Sequence, residues 1–509
     1  MLNEKLPKNK WKSTTIGLLF LMCAVVLLFK ILEFQSLNIP NTSIASFLNT
    51  TNILDVEYGF GCCSTDKIHT PSISISISKK KKKKKKKNRV VEQVLTMSDM
   101  DNLLEKNRAS AMIPLWTTEV DEQMLRAKKE VENAPIVTTD DQLYSPVFRN
   151  LSTFKRSYQL MEEILKVYVY EEGDKPVFHR PTLRGLYASE GWFMDQMEKS
   201  TNFLIDDPNK AHLFYIPFSS VSLRFSMYIP QTRNHKELVD YMKSYIDMVS
   251  SKYPFWNRTG GADHFLAACH DWATDETEQS MKTAIRALCT ASTVKGFQIS
   301  KDVSLPATKI FHKNYPHLNI GGKPAHKRTT LAFFAGQMHG YLRPILVRHW
   351  ENKDPDMVIT GPIKRAIPFN ALSEEDEDIN NTTMINPYFH YMKSSKYCLC
   401  PRGSQVWSTR VMESIYYECV PVIISDNFVP PLFEVLNWSE FSVILPETDV
   451  PRLKQVLMAI PHRRYMEIAR GVREVRKHFL WNTSPVKYDL FHMILHSVWF
   501  NRLNQIHVE

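Results

Sequence analysis

The sequence predicts an α/β fold with two domains that face a shared cleft. Short runs rich in Val, Ile, Tyr and Phe alternate with amphipathic helical segments in two regions of the chain, which is typical of parallel sheets covered by helices. Runs such as V-P-V-I-I at residues 420–424 are apolar at every position, as expected for strands that are covered on both faces. The length of 509 residues leaves room for two or three domains.

The amino-terminal segment has the pattern of a membrane anchor. Residues 1–15 carry four lysines, and residues 16–32 form an apolar run whose one charged side chain is Lys30. This run is at the short end of what spans a bilayer, and the lysines before it favour a cytosolic tail and an exported remainder. A cleaved signal peptide is the alternative, but no small-residue A-x-A site follows the run. We therefore expect a single-pass type II protein whose globular part is lumenal.

Sequons and cysteines agree with export. The candidate N-glycosylation sites are Asn150, Asn257, Asn380, Asn437 and Asn482. Eight cysteines are present, and Cys23 lies in the apolar run. The remaining odd set allows disulfides and leaves at least one free or intermolecular thiol. The pairing stays open, and no C-x-x-C spacing indicates a zinc site.

Residues 33–150 are predicted to form a stem. It begins with low-complexity sequence that contains S-I-S-I-S-I-S and the lysine run 79–87, and it ends in a charged helical arm. The lysine run supplies nine of the +10 net charges, so only +1 remains for the rest of the chain and a nucleic-acid binder is not indicated. The lysine run is interpreted as disordered stem or as a tether for acidic polysaccharide. A third hypothesis is that the two simple repeats are translated noncoding sequence.

A first α/β lobe is predicted for residues 151–325. The predicted elements are strand Lys166–Tyr170, helix Ser189–Ser200, strand Ala211–Phe218 and helix Glu237–Ser251. Residues 257–272 are predicted to form a loop that faces the cleft, because two adjacent glycines let the backbone approach a ligand. This loop carries a dense group of titratable side chains: Asp263, His264, His270 and Asp271.

A second α/β lobe is predicted for residues 326–509, together with the closing helices. Its predicted elements are strand Thr330–Gly336, a helix with Arg343 near its start, strand Asp356–Thr360, strand Phe441–Leu445, and helices Val450–Ile460 and Arg463–Leu480. The alternation of strand and helix is the same as in the first lobe, so the ligand is expected in the cleft between two such lobes.

The stretch from Tyr397 to Asp426 is the most informative part of the second lobe. It is predicted to run as a strand to Cys400, a turn around Gly403, a helix over 406–417 and a strand over 420–425. Arg410 and Glu413 are three residues apart on this helix and share a face. A helix N-terminus with an arginine suits a diphosphate, and a carboxylate one turn later can accept hydrogen bonds from sugar hydroxyls. The alternative is a surface Arg-Glu pair on a packed helix.

From about Thr118 to its end the chain resembles plant exostosin-type glycosyltransferases, glycosyltransferase family 47. In order it carries K-V-Y-V-Y-E-E-G, Y-A-S-E-G-W-F-M, A-H-L-F-Y-I-P-F-S, N-R-T-G-G-A-D-H-F, C-H-D-W, D-V-S-L-P, L-A-F-F-A-G, Y-C-L-C-P-R-G and C-V-P-V-I-I-S-D. The resemblance implies a GT-B fold of two Rossmann-like domains and a Golgi type II membrane protein. It also implies inverting transfer of a sugar from a nucleotide donor, expected to be a UDP-sugar, to a cell-wall polysaccharide or proteoglycan glycan.

Two positions depart from the family pattern. Family members carry S-P-R where this chain has Ser408, Thr409 and Arg410, and they carry a small or aromatic residue where Arg402 precedes Gly403. The missing proline lowers the preorganisation of the helix start. Donor binding is expected to survive, because Arg410 and Glu413 are present.

An inverting transfer needs a base for the acceptor hydroxyl and a means of stabilising the departing diphosphate. The second task is assigned to Arg343, Arg410 and the N–H groups around Gly403, and ribose or sugar binding to Glu413. Asp263 is the favoured base, with His264 and Asp271 as rivals. The alternative role for Asp263 is the N-cap of a helix formed by H-F-L-A-A-C.

No metal or other cofactor is expected, since the three D-x-D matches in the chain do not follow glycine-rich strand ends. The expected partners are the UDP-sugar, the glycan acceptor and the Golgi membrane, with room for homo- or hetero-oligomers with other transferases and no nucleic acid. A non-catalytic glycan-binding or scaffolding subunit of a synthase complex is the alternative function. Xylose, galactose, arabinose and glucuronic acid all remain open as the donor sugar.

Overall fold

The computed structural model describes residues 94–108, 113–228, 235–317, 319–363 and 386–507. The predicted cytosolic tail, the apolar run 16–32, the low-complexity part of the stem and Asn380 lie outside these residues. Among the described residues, no helix has the length and apolar composition needed to span a bilayer.

The first sheet is parallel and its strands follow the order of the chain. The strands are β1 (Val167–Val169), β2 (Leu213–Tyr215), β3 (His264–Ala268), β4 (Ile285–Leu288) and β5 (Val303–Ser304). The helices that precede or connect them are α1 (Met97–Arg108), α2 (Glu119–Glu132), α3 (Leu151–Ile164), α4 (Ala188–Glu198), α5 (Ser220–Met227), α6 (Lys236–Lys252), α7 (Pro254–Thr259) and α8 (Ala273–Glu278). Strands β2 to β5 are buried at every residue, which explains their nearly continuous apolar runs.

The second sheet is also parallel. Its strands are β6 (Thr330–Ala335), β7 (Met357–Thr360), β8 (Ser395–Pro401), β9 (Val420–Ile424) and β10 (Val443–Leu445). The helices of this part are α9 (Leu342–Trp350), α10 (Pro387–Ser394), α11 (Arg410–Tyr416), α12 (Leu453–Ala459), α13 (His462–Val475) and α14 (Leu490–Gln505). Two parallel sheets with connecting helices confirm the predicted α/β class.

The strand order of the second sheet, β10-β9-β8-β6-β7, marks where a ligand should bind. From β6 the chain moves to one side to form β7 and then crosses back to form β8 on the other side. The strand order therefore reverses direction between β6 and β8. In open α/β sheets, ligands bind at the carboxyl ends of the strands at such a switch point.

The two sheets meet near their carboxyl ends within one compact unit. The segment after β9 lies against the ends of β4 and β5, where Val429 N donates to Ala291 O at 2.9 Å and Leu432 N donates to Ser304 O at 3.1 Å. The cleft between the sheets is thus bounded by loops that leave the carboxyl ends of both sheets.

Two predicted elements are corrected. The run H-F-L-A-A, predicted within a loop, is strand β3, because it pairs with both β2 and β4. Helix α11 begins at Arg410 and not near Val406. The Val406 carbonyl accepts a hydrogen bond from Ser425 Oγ at 2.8 Å, which takes that carbonyl out of helical bonding.

The carboxyl-terminal helix α14 returns to the first sheet. It contacts β4, β5, α2, α3 and α4. Its residues from Leu490 to Leu503 are buried on all sides, as expected for a helix that is not amphipathic. The end of the chain, which the sequence analysis placed with the second lobe, thus packs on the first lobe.

Disulfide pairing, left open by the sequence, joins neighbouring strands. Cys269 after β3 bonds to Cys289 after β4, and Cys398 in β8 bonds to Cys419 just before β9. Within the described residues, Cys400 is a buried free thiol.

Candidate active site

Three glycines lie in the loops at the switch point of the second sheet. Strand β6 continues into Gly336 and Gly340, and β8 continues into Gly403. Gly340 has φ +71°, and a Cβ there would collide with the Gly403 carbonyl. The two loops therefore touch backbone to backbone, which only glycine permits.

Two arginines meet at this point. Arg410, the first residue of α11, donates from Nη2 and Nε to Ala335 O at 2.6 and 3.2 Å, and a Cβ at Gly336 would collide with its guanidinium. Arg343, in the first turn of α9, is 7% exposed and lies beside Gly403, whose hypothetical Cβ would be 3.0 Å from Arg343 Nη2. The sequence assigned both arginines and Gly403 to one site, and the structure brings all three together.

The electrostatics of this pair indicate an anion site. Burial, together with the neighbouring charge of Arg410, lowers the pKa of Arg343 to about 9. Arg343 Nη1 donates to Gln337 O at 3.2 Å, while its buried Nε has no hydrogen-bond partner among the described residues. The buried charge of Arg343 and the half-buried charge of Arg410 repel each other, and a bound anion removes that cost while satisfying the open donor.

Glu413 lies one turn beyond Arg410 but is bonded elsewhere. Its Oε2 accepts a hydrogen bond from Tyr388 Oη, and Thr409 Oγ1 is 3.4 Å from its Oε1. Helix α11 spans only seven residues, so its N-terminal dipole adds less than the sequence suggested. The candidate anion site therefore consists of the two arginines and the glycine loops.

The carboxyl edge of the first sheet faces these loops. Asp271 follows β3 by three residues and lies near the indole of Trp407, in the loop after β8. Lys295, in the segment after β4, donates from Nζ to Gln405 Oε1 at 2.7 Å. The rings of Tyr187 and Trp407 are 5.9 Å apart across the same gap. Asp271 is therefore opposite the loop that holds Gly403.

Asp271 has the properties of a base. Burial raises its pKa to about 6, against the opposing effects of the Lys295 charge and the Trp407 N–H. Asp271 Oδ1 and Trp407 Nε1 are both buried without a hydrogen-bond partner among the described residues, so the indole approaches without completing a bond. Asp271 Oδ1 is thus a buried acceptor whose hydrogen-bonding capacity the described residues leave unused.

Asp263 and His264 occupy a different place from the one predicted. Asp263 precedes β3, at the amino end of the sheet, and the five residues of β3 put roughly 16 Å between it and the carboxyl edge. It is fully buried, with Arg258 Nη2 at 2.8 Å and Thr259 Oγ1 at 2.6 Å. His264 is also fully buried, between Asp263 and Tyr170 Oη at 2.8 Å.

The charge of Asp263 belongs to a structural ion pair. Burial alone would raise its pKa, but the hydrogen bond from His264 and the charges of His264, Arg502 and Arg258 outweigh burial and hold the pKa well below its usual range. A carboxylate held this way is a poor proton acceptor and has no access to the cleft. This position argues against Asp263 and His264 as the base.

His270 is a structural neighbour of the site. It is 8% exposed, and burial, with the charges of Arg224 and His235, lowers its pKa to about 3. Trp272 N donates to His270 Nδ1 at 3.3 Å, so the neutral ring carries its proton on Nε2.

Comparison with known proteins agrees with this geometry. The exostosin GT47 domain matches residues 161–460, which include both sheets and both halves of the site. The chain belongs to the exostosin GT47 family.

The curated relatives of this GT47 chain are glycosyltransferases. A protein of Arabidopsis thaliana named a probable glycosyltransferase is 40% identical over 373 residues, 73% of this chain and 68% of the relative. A probable glucuronosyltransferase of Oryza sativa subsp. japonica is 28% identical over 352 residues, 66% of this chain and 80% of the relative. A probable beta-1,4-xylosyltransferase of Arabidopsis thaliana is 27% identical over 349 residues, 66% and 81% respectively. The chain is a glycosyltransferase.

Several site residues of this GT47 enzyme were not found by sequence reasoning. They are Tyr187, Lys295, Gly336, Gly340, Gln405 and Trp407. Four of them follow the carboxyl end of β6 or β8 within six residues, so a search of every strand end for polar, aromatic or glycine residues would have found those four.

A buried carboxyl pair supports the backbone near Asp271. Glu190 accepts from Cys269 N at 2.8 Å and from Ser219 Oγ at 2.5 Å, and Glu276 accepts from Ser220 Oγ at 2.6 Å. Burial raises the pKa of Glu190 to about 7 and that of Glu276 to about 8. The enzyme therefore holds Glu276 largely neutral below pH 8.

We expect Glu276→Gln to stabilise the enzyme at high pH only. The folded state keeps the Glu276 proton up to about pH 8, while the unfolded carboxyl loses it near pH 4.5. The stability from the neutral form is fully present below pH 4.5 and declines between these two values by about 1.4 kcal/mol per pH unit. Tm should therefore rise at pH 8 in the variant, with little change at pH 5. Glu278→Gln, exposed at the end of α8, is the control, and an equal gain at both pH values would contradict the expectation.

The candidate glycosylation sites differ in exposure. Asn150 and Asn257 are exposed, and Asn150 caps α3 by accepting from Thr153 N at 3.0 Å. Asn437 and Asn482 are half-buried, and Asn482 Nδ2 donates to Asp489 Oδ2 at 3.1 Å. Use of these sites by the secretory pathway stays a prediction.

The D-x-D matches in the described residues are bonded to protein groups. Asp354 and Asp356 both accept from Lys454 Nζ, at 2.6 and 2.8 Å. Asp99 bonds to Thr96, and Asp101 pairs with Arg149 at 2.8 Å. The third match, 376–378, lies outside the described residues. Where the chain is described, no group of three or more His, Cys, Asp or Glu side chains is arranged to hold a metal ion.

Proposed function

We propose that this enzyme transfers a sugar from a UDP-sugar to a glycan acceptor with inversion at the anomeric carbon, in a GT-B type cleft. The observation that carries the proposal is the pair of buried Arg343 and half-buried Arg410 at the switch point, opposite Asp271. A dianionic diphosphate suits the two guanidiniums, and a base across the cleft suits an acceptor hydroxyl.

The donor diphosphate binds between the two glycine loops. Arg343 and Arg410 contact its oxygens. The predicted role of the N–H groups around Gly403 is corrected, because Gly403 N donates to Gln405 O at 3.1 Å and Arg402 N donates to Ile424 O at 3.0 Å. Gly403 instead leaves room for the Arg343 guanidinium, which a Cβ would crowd. Glu413 then lies beside the sugar or ribose end of the donor. The open Nε of Arg343 gains its missing partner in this complex.

In the chemical step, Asp271 takes the proton of the acceptor hydroxyl. That oxygen attacks the anomeric carbon from the face opposite the diphosphate, and the bond between the anomeric carbon and the diphosphate oxygen breaks. The bonding pair leaves with the diphosphate, whose added negative charge is stabilised by both guanidiniums. The displacement inverts the anomeric configuration, and Asp271 later releases its proton to solvent.

The site of action and the acceptor are proposed from the sequence and from the relatives. A lysine-flanked apolar run at 16–32 supports a type II Golgi membrane protein with a lumenal catalytic part. Relatives named glucuronosyltransferase and xylosyltransferase support glucuronic acid and xylose as candidate donor sugars. The proposed acceptor is a cell-wall polysaccharide or a proteoglycan glycan, as the family resemblance implies. The proposal includes association with other transferases in the Golgi membrane, as homo- or hetero-oligomers.

Transfer assays test this proposal. Full-length enzyme in detergent is incubated with the UDP-sugars of xylose, galactose, arabinose and glucuronic acid together with wall oligosaccharides. We expect one donor to yield a lengthened product whose new linkage has the opposite anomeric configuration by NMR. A protein that binds glycan but neither binds nor turns over any UDP-sugar would support the scaffolding alternative, which the Thr409 and Arg402 departures allow.

We expect transfer to proceed without added metal. The two guanidiniums supply the charge that Mn²⁺ supplies to a diphosphate in D-x-D enzymes. Rates measured after EDTA treatment and dialysis should therefore equal those of untreated enzyme. A loss of activity that Mn²⁺ alone restores would reverse this expectation.

A further inference from the structure

Two buried carboxyl groups hold the chain on either side of Asp271. Glu190, in the first turn of α4, accepts a hydrogen bond from Cys269 N at 2.8 Å, two residues before Asp271. Glu276 follows Asp271 in α8, and its own N–H donates to Trp272 O at 2.9 Å. The turn that carries Asp271 therefore lies between two points at which these carboxyl residues fix the backbone.

Both carboxyl groups are tied to the same place, the start of α5. Ser219 Oγ donates to Glu190 Oε1 at 2.5 Å, and Oγ of the next residue, Ser220, lies 2.6 Å from Glu276 Oε2. Ser219 also caps α5 by accepting from Ser222 N at 3.1 Å. A shift of either carboxyl group would therefore move α4 or α8 relative to the turn between them.

The hydrogen bonds indicate which carboxyl group ionises first. Glu190 receives an N–H donor on each oxygen, from Cys269 N on Oε2 and from Val221 N at 3.3 Å on Oε1, and these bonds favour its charged form. Glu276 Oε1 is buried without a hydrogen-bond partner among the described residues, which disfavours a charge there. The pKa values have the same order, because burial raises that of Glu190 to about 7 and that of Glu276 to about 8.

The groups around the pair oppose a second negative charge. Besides burial, the charges of Glu190 and Asp275 raise the pKa of Glu276. Arg224, on α5, lowers that pKa. Burial keeps the other titratable neighbours uncharged at neutral pH by moving their pKa values upward and downward, respectively: Tyr215 at the end of β2 and His270 after β3. Ionisation of Glu276 beside a charged Glu190 thus creates a repulsion that one guanidinium offsets only in part.

We infer that Glu190 and Glu276 are positioning residues for Asp271, and that full turnover requires Glu276 to keep its proton. This inference rests on the proposed role of Asp271 as the base. Both carboxyl groups act through the backbone, because both are buried behind the carboxyl edge of the first sheet. A second charge drives them apart and displaces the turn between Cys269 and α8.

The rate of the full-length enzyme at saturating donor, measured from pH 6 to pH 9.5, tests the inference. Above pH 8 wild-type kcat should fall about tenfold per pH unit, as for titration of one group. Glu276→Gln, which is neutral at every pH, should keep its kcat within about threefold over the same range. Glu278→Gln, exposed at the end of α8, is the control and should follow wild type. Loss of the Arg343 charge is distinguishable, because it raises the KM for the donor in all three proteins.

Two further variants test the individual bonds. Glu190→Gln replaces one acceptor by a donor, so kcat should fall about tenfold or more at every pH. Ser220→Ala removes the hydroxyl beside Glu276 and should lower kcat about three- to tenfold, as for loss of one hydrogen bond. In both variants UDP affinity should equal that of wild type, which also shows that the protein is folded. Unchanged kcat in both would overturn the inference.

Hydrogen exchange of the peptide that contains Cys269 provides a measurement that needs no substrate. After correction for the intrinsic rate, its protection in wild type should fall above pH 8, and Glu276→Gln should retain it. Equal protection at pH 7 and pH 9 in wild type, or an equal alkaline loss of kcat in Glu276→Gln, would overturn the inference. If exchange behaves as expected but Asp271→Asn turns over normally, the pair fixes this turn and the proposed base is wrong.

Discussion

Asp271→Asn should reduce kcat by about 10²- to 10⁴-fold, the range for loss of a general base, while UDP affinity stays close to wild type. The amide has nearly the same shape as the carboxylate but cannot accept the acceptor's proton. Because Asp271 has a pKa of about 6, wild-type kcat should fall about tenfold per pH unit below pH 6. Initial rates across pH 4.5–8, with UDP binding measured in parallel, check both effects.

Two aspartates serve as controls for this experiment. Asp275→Asn, exposed and four residues later, should leave kcat unchanged. Asp263→Asn should lower Tm, because breaking a buried ion pair costs about 3–5 kcal/mol, and the folded fraction should keep its turnover. The assignment fails if Asp271→Asn turns over normally, and it passes to Asp263 if folded Asp263→Asn is inactive.

Arg343→Met should reduce the rise in Tm that a fixed concentration of UDP produces while leaving the Tm of the free enzyme equal or higher. A charged hydrogen bond to diphosphate is worth about 1.5–3 kcal/mol, so UDP affinity should fall about 10- to 100-fold. The same substitution removes a buried charge that Arg410 repels, which relieves the free protein. Arg410→Met should lose UDP in the same way, although it also gives up its bonds to Ala335 O.

The opposite signs of these two effects separate an anion site from a structural role. A structural arginine lowers the Tm of the free enzyme when it is replaced, and UDP still stabilises the variant. Arg348→Met, on the exposed side of α9, is the matched control and should behave as wild type. A full UDP-induced Tm shift in Arg343→Met would remove Arg343 from the donor site.

The region around Gly403 shows which features can be predicted from local sequence patterns. The spacing of Arg410 and Glu413, the strand V-P-V-I-I and the turn glycine are all local, and each was found where the sequence indicated. The start of α11 was predicted wrongly, because the hydrogen bond from Ser425 Oγ to Val406 O joins residues that are 19 positions apart. Local periodicity carries no information about such a contact.

The two aspartates show the opposite case. Asp263 and Asp271 lie within one short stretch that the sequence treats as a single loop, and its two glycines favoured Asp263. Their difference arises because the residues between them form a central strand, which sends one carboxylate to each end of the sheet. An apolar run of five residues is too short for sequence alone to assign it to strand, helix or loop.

The sequence alone was sufficient for the α/β class, the family, and the placement of Arg410 and Glu413 on one short helix, because these depend on residue type and short spacing. The tertiary structure decided the order β10-β9-β8-β6-β7, the meeting of Arg343 with Arg410, and the position of Asp271 opposite Trp407. Those features join residues that are 67 and 136 positions apart. Strand order and burial set such contacts. If the strands were arranged in another order, the two arginines would lie apart from each other and from the Asp271 carboxylate.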